Sequence, residues 1–208
     1  GLSEGKPRLP EVYDDVQLGL DWLRSVHDDA GPLIVFGQSL GGAMAATVLG
    51  EEENAGAADC VGLEAAFASY RDITDDVMKK SWLLWPLRWM VVPGMPAREQ
   101  DPENRIAGIA PTPLLILHSD EDEVVPYSHG ERLYAAAQAP KTFQPLHGGH
   151  TQSARDPDVQ DRLVDFMETS GCSARAPEPV SDKPAPPPIQ GPIVPPPSPD
   201  TGNGAYRF

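Results

Sequence analysis

A chain of 208 residues with 40% hydrophobic and 23% charged content is long enough for one substantial globular domain. Its formal net charge of −15 provides no basic surface to displace counterions from nucleic-acid phosphates, and it sets the chain as a whole against an anionic membrane. Cys60 and Cys172 lie too far apart for a metal-type spacing and say little about compartment.

In chain order, the first residues, "GLSEGKP", show no signal-peptide pattern. After Pro10, the residues Val12, Val16, Leu20 and Leu23 recur at helical spacing and predict an amphipathic helix to about residue 28. "PLIVFG" is a short apolar run closed by glycine, which reads as a buried strand. "SLGGAMAATVLG" is a small-residue helix ending at Gly50, and "CVGLEAAF" a second strand. The segment of about 72–97 holds three of the four tryptophans, in "SWLLWPLRWMVVPGMP". It reads either as helix packed on the main domain or as a greasy cap favouring acyl or aromatic substrates, the one place where membrane contact is expected. Pro86 and Arg88 interrupt it, so it falls short of a transmembrane span.

"TPLLILHS" gives a third strand and residues 127–138 a helix. "KTFQPLH" gives a fourth strand, where Pro145 suits only a sheet edge, and 157–169 a last helix. From residue 174 onward the composition changes: "ARAPEPVSDKPAPPPIQGPIVPPPSPDTGNGAYRF" holds eleven of the 24 prolines and almost no large apolar residues. It cannot bury enough surface to fold, so a disordered, polyproline-like tail is expected over 174–208. Residues 1–173 then form the folded domain. Near-continuous apolar strands separated by helices predict the α/β class, with a parallel sheet covered by helices on both faces. The chain is expected to be soluble, with a cytoplasmic setting favoured.

Gly37-Gln38-Ser39-Leu40-Gly41 matches G-x-S-x-G, with a strand before it and a helix after it. On such a corner the serine takes an unfavourable backbone conformation, and the flanking glycines let strand and helix pass closely. The hydroxyl projects at the carboxyl end of the sheet, and the backbone N–H of Leu40 points where an oxyanion would form. A serine needs a base, and the base an acid to orient it; downstream of this elbow the order is Ser, acid, His. The acids lie in "LLILHSDEDEVVPYSHG", right after a strand. Among them Asp122, just ahead of "VVP", is the choice, with Asp120, Glu121 and Glu123 as solvated neighbours and Glu64 in reserve. Of the five histidines, His27 and His129 read as surface residues and His118, at a strand end, as a packed core histidine. His147 and His150 share the loop "PLHGGHTQSA", where two glycines let His150 swing toward Ser39.

Together the elbow, "HSDEDEVVP" and "GGH" resemble the alpha/beta-hydrolase superfamily, in particular its serine aminopeptidase-like branch of small esterases and peptidases. "GLSEGKP", "VFGQSLGG" and "FASYRDI" are similar to strings of that branch. The resemblance covers residues 1 to about 170. It implies Ser39 as nucleophile, Asp122 as acid, His150 as base and the Leu40 N–H as one oxyanion donor, with no metal or cofactor. Ser119 stands where the family usually has glycine and Glu64 where it often has aspartate. In that family "GLSEGKP" follows the fourth strand, and the second oxyanion donor lies on a loop after the third. The expectation is therefore the carboxyl-terminal part of a hydrolase, an alpha/beta-hydrolase fold lacking its first strands. Two functions follow as expectations. One is a serine hydrolase that cleaves a small-molecule carboxylic ester, or a peptide, through an acyl-enzyme. The alternative is a non-catalytic remnant whose proline-rich tail binds partners.

Overall fold

Predominantly apolar runs have to be covered by other elements, and three of them, with the more polar Lys141–Leu146 at one edge, pair into one parallel sheet in chain order. The computed structural model describes residues 8–27, 31–151 and 156–172. "GLSEGKP" and the proline-rich tail lie outside the described residues. The strands are β1 (Ile34–Gln38), β2 (Cys60–Glu64), β3 (Leu114–Ser119) and β4 (Lys141–Leu146). Val35 pairs with Val61, Val61 with Leu114 and Leu114 with Lys141, so the carboxyl ends of β1, β2 and β3 lie side by side. Pro145 sits in β4, an edge strand, where its missing N–H breaks no ladder.

Ahead of β1 runs α1 (Leu9–Val26); between the strands run α2 (Leu40–Leu49), α3 (Tyr70–Lys79), the single turns α4 (Arg88–Val91) and α5 (Pro102–Arg105), and α6 (Tyr127–Ala136); α7 (Pro157–Thr169) follows β4. The strand period of two divides the core. Val61, Leu63, Leu114 and Ile116 face Leu20, Ala46, Leu49 and Leu133 of α1, α2 and α6. Leu115 and Leu117 face the other way, onto Val159, Leu163 and Phe166 of α7. On that second face Ile34 and Phe36 of β1 remain 39% and 42% exposed, and β1 is a sheet edge among the described residues, in line with a sheet lacking its first strands.

One covalent tie was not legible in the spacing. Cys60, which opens β2, is disulfide-bonded to Cys172 just past α7, with Cα atoms 5.9 Å apart across 112 residues. It staples the last helix to a central strand.

The elbow needs its glycines at two positions, and they are not the pair the motif suggests. A Cβ on Gly37 would lie 2.7 Å from the Gly41 carbonyl oxygen and from the Gly42 Cα, and one on Gly42 would lie 2.9 Å from the Gly37 carbonyl oxygen and from the Ala66 Cβ. Gly41 has open space around its Cβ position. Gly42→Ala should therefore lower stability by about 1–3 kcal/mol through overpacking against backbone. Gly41→Ala, in the first turn of a helix, should be neutral or stabilise by up to about 1 kcal/mol. Urea midpoints of the two variants test this; equal shifts would mean that strand and helix can part without cost.

Candidate active site

The corner between β1 and α2 holds Ser39 at φ 51°, ψ −119°, a conformation that L-residues avoid. Two bonds over-determine it: Ser39 N–H donates to the Glu64 carbonyl at 2.9 Å, and Ser39 C=O accepts from Ala43 N–H at 3.0 Å. Its side chain caps nothing, although serine at a helix start usually does. The hydroxyl is thus held for something else. The other positive-φ non-glycine residues among those described are Ala65, one past β2, and Thr151, beside His150. All three lie around the carboxyl edge of the sheet, where strain marks sites rather than scaffold.

The hydroxyl meets a histidine. His150 Nε2 is 3.0 Å from Ser39 Oγ, and His150 Nδ1 is 2.7 Å from Asp122 Oδ2. The Asp122 side chain is fully buried and that of His150 19% exposed. Asp122 Oδ1 accepts from the N–H groups of Val124 and Val125, both at 2.8 Å, which fixes the carboxylate's orientation. The three residues come from three different loops, and the structure brings all three together. Leu40 is the first residue of α2, so its N–H has no acceptor within the helix by position. An open cleft of about 870 Å³ is bounded by the loop 120–124, Gly149 and His150.

His118, at the end of β3, packs behind the acid as a core histidine. It is 0% exposed, its Nε2–H donates to the Val125 carbonyl at 3.0 Å, and its Nε2 lies 3.9 Å from Asp122 Oδ2. Burial pushes its pKa down, opposed by that hydrogen bond and the Asp122 charge, so the ring is held neutral. Gly130 closes over it; a Cβ there would lie 2.6 Å from His118 Nδ1.

His129 corrects an expectation. It is 1% exposed rather than on the surface, because the α6 face that carries it also carries Leu133 into the core. Its Nδ1 accepts from Ala68 N–H at 3.0 Å, and its Nε2 faces Asp76 at 3.2 Å. Burial lowers its pKa, with Asp76 opposing. His147 is exposed and bonds Asp120 at 2.9 Å. Glu64 is buried and accepts from Gln38 Nε2 at 2.5 Å.

Two bracing contacts had no sequence signal, since they join loops far apart in the chain. Ser119 Oγ donates to the Gly148 carbonyl at 2.5 Å, and Glu121, expected as a merely solvated neighbour, accepts from Gly148 N–H at 2.8 Å. With the Asp120–His147 pair they clamp the acid loop to the histidine loop. Ser119 thus gives a role to a residue that departs from the family's glycine. Among the described residues no group of His, Cys, Asp or Glu is arranged to hold a metal ion.

The chain is similar to known proteins in sequence and in fold. The sequence profile of the prolyl oligopeptidase family matches residues 10–169. The protein YfhR of Escherichia coli K12 is 32% identical over 173 residues, 80% of this chain and 56% of its own length. The alpha/beta hydrolase domain-containing protein WAV2 of Arabidopsis thaliana is 32% identical over 143 residues, 67% of this chain and 46% of its own. The chain spans about half the length of these curated relatives. Among solved structures, the Pyrococcus furiosus esterase Pf2001 superposes with a TM-score of 0.63 at 18% identity, covering 82% of this chain and 66% of that one.

Proposed function

Because the chain belongs to the prolyl oligopeptidase family, within the alpha/beta-hydrolase superfamily, we propose that the protein is a serine hydrolase that cleaves carboxylic esters, or peptides, through an acyl-enzyme. The observation that carries this reading is the unbroken relay Asp122 Oδ2–His150 Nδ1 (2.7 Å) and His150 Nε2–Ser39 Oγ (3.0 Å), ending on a serine held at positive φ.

In the proposed reaction Ser39 Oγ attacks the carbonyl carbon while His150 Nε2 takes its proton. Asp122 Oδ2 accepts the Nδ1–H of His150 and stabilises the imidazolium that forms. The Leu40 N–H, at the positive end of α2, faces the oxyanion. The proton on Nε2 passes to the leaving oxygen or nitrogen as its bond to carbon breaks. Water then attacks the acyl-Ser39 ester, with His150 as base, and the acid product leaves.

A fluorophosphonate probe tests the reading. It should form one covalent adduct, on the peptide containing Ser39, and none after Ser39→Ala. An adduct on another serine, or on none in a folded preparation, would remove Ser39 from the nucleophile's role.

A further inference from the structure

Between Val77 and Arg98 the chain reads "VMKKSWLLWPLRWMVVPGMPAR": four cations and no carboxylate, in a chain of net charge −15. The large apolar side chains of this segment lie mostly in solvent. Trp82 is 88% exposed, Met90 79%, Trp89 71% and Leu83 63%. Apolar exposure on this scale in one short segment marks an interaction surface rather than ordinary surface scatter.

The arrangement is built. Trp85 N–H donates to the Ser81 carbonyl at 2.8 Å, and Leu87 N–H to the Leu84 carbonyl at 2.9 Å. The Arg88 guanidinium lies 4.4 Å from the centre of the Trp89 ring and 5.7 Å from that of Trp85, and is anchored at 2.8 Å to Asp75 of α3. An ion pair and two cation–π contacts therefore hold the rings in place. Of the carboxylates of the preceding helix, Asp72 is paired to Arg132 and Asp75 to Arg88 and Lys79, while Asp76 faces the uncharged His129 ring at 3.2 Å and lies 3.9 Å from Lys79. Lys80 and Arg98 have no carboxylate partner among the described residues, and half of the Lys79 side chain is in solvent. The rim of the patch is cationic although the molecule is not.

The patch also adjoins the cleft. Lys80 Nζ donates to the backbone carbonyl of Glu123 and approaches that of Val124, two residues that bound the space beside His150. Trp82 follows two residues later.

We propose that residues 79–98 dock the protein on an anionic phospholipid surface. Trp82 and Trp89 would sit at headgroup level, where amphipathic rings are favoured, and Lys80 and Arg98 would face the phosphates. At physiological ionic strength charges act over roughly 8 Å, so the surface reads mainly the local rim, in which Glu99 beside Arg98 and Glu123 beside Lys80 are the opposing charges. A second copy is the poorer occupant, because a two-fold contact would set one cationic rim against another. Docking there would hold the cleft beside the lipid and select amphiphilic acyl esters. That substrate clause rests on the hydrolase reading; the docking itself does not.

Co-sedimentation of the whole chain with vesicles tests it, using pure phosphatidylcholine and an equimolar mixture with phosphatidylglycerol. Binding should be strong to the mixture, weaker to phosphatidylcholine, and accompanied by a blue shift of tryptophan emission. Lys80→Gln and Arg98→Gln should each weaken binding to the mixture about five-fold. Trp82→Ser with Trp89→Ser should abolish it without changing the far-ultraviolet circular dichroism. Failure of the folded protein to bind either vesicle, or undiminished binding by the double tryptophan variant, would overturn the proposal. So would a dimer that the tryptophan changes dissolve, or tryptophans already shielded from acrylamide without lipid, since another copy or another part of the protein would then cover the patch. Vesicle binding without any ester hydrolysis would leave the docking standing and remove the hydrolase reading alone.

Discussion

Ser39→Ala should lower kcat by about 10⁶-fold, the scale seen when a triad nucleophile is removed, while KM stays within a few-fold. The separation follows from the geometry. The hydroxyl caps no helix N–H, and among the described residues the one hydrogen bond its Oγ makes is to His150 Nε2 at 3.0 Å, so its loss subtracts the attacking atom and little else. The backbone at φ 51°, ψ −119° is equally unfavourable for alanine, so the fold should not change measurably. Ser39→Gly goes further: glycine occupies this region freely, and the variant should be inactive and yet more stable by about 1 kcal/mol. Steady-state kinetics on a p-nitrophenyl ester and a urea titration would check both. Retention of a tenth or more of the activity by Ser39→Ala would exclude Ser39 as the nucleophile. Strain at this corner with no stability gained on its relief would mean that the backbone, and not the residue type, selects the conformation.

Asp122→Asn should cost about 10⁴-fold in kcat, and the reason is a tautomer rather than a lost charge alone. Asp122 Oδ1 accepts two N–H groups, from Val124 and Val125 at 2.8 Å each, so in asparagine the carbonyl oxygen must stay on that side. The amide NH₂ is then forced into the place of Oδ2, where it donates to His150 Nδ1 at a position now 2.7 Å from a carboxylate oxygen. That puts the imidazole proton on Nε2, facing Ser39, and a protonated Nε2 cannot accept the serine proton. Binding contacts are unchanged, so KM should move little. A loss smaller than ten-fold would show that the asparagine flips or that another carboxylate orients the ring.

Much of the architecture was readable because burial imposes a period. Runs such as "LIVFG" and "LLILHS" have little polar surface, and the helices between them repeat apolar residues at helical spacing, so a parallel sheet covered by helices follows, while the order of its strands does not. The elbow was readable for a similar local reason: the sharp turn needs glycine within a few residues, and that need is written in adjacent letters. Even there the local reading was partly wrong, since the tight approach falls on Gly37 and Gly42 and leaves Gly41 free.

Where side chains find partners across long sequence separations, the letters alone were silent. Helical spacing could place His129 on α6 but could not say that its side of the helix is covered, because that depends on where Ala68 and Asp76 arrive. Cys60 and Cys172 are 112 residues apart in the chain and Cα atoms 5.9 Å apart in space, a closeness created only when α7 packs back on the sheet. The choice of Asp122 over its three acidic neighbours becomes a matter of distance once β3 and the histidine loop stand side by side. Chain order and residue type, which chemistry constrains locally, lay open in the sequence. Orientation, burial and the braces between loops are sums of many weak non-local contacts, and only the folded chain brings them together.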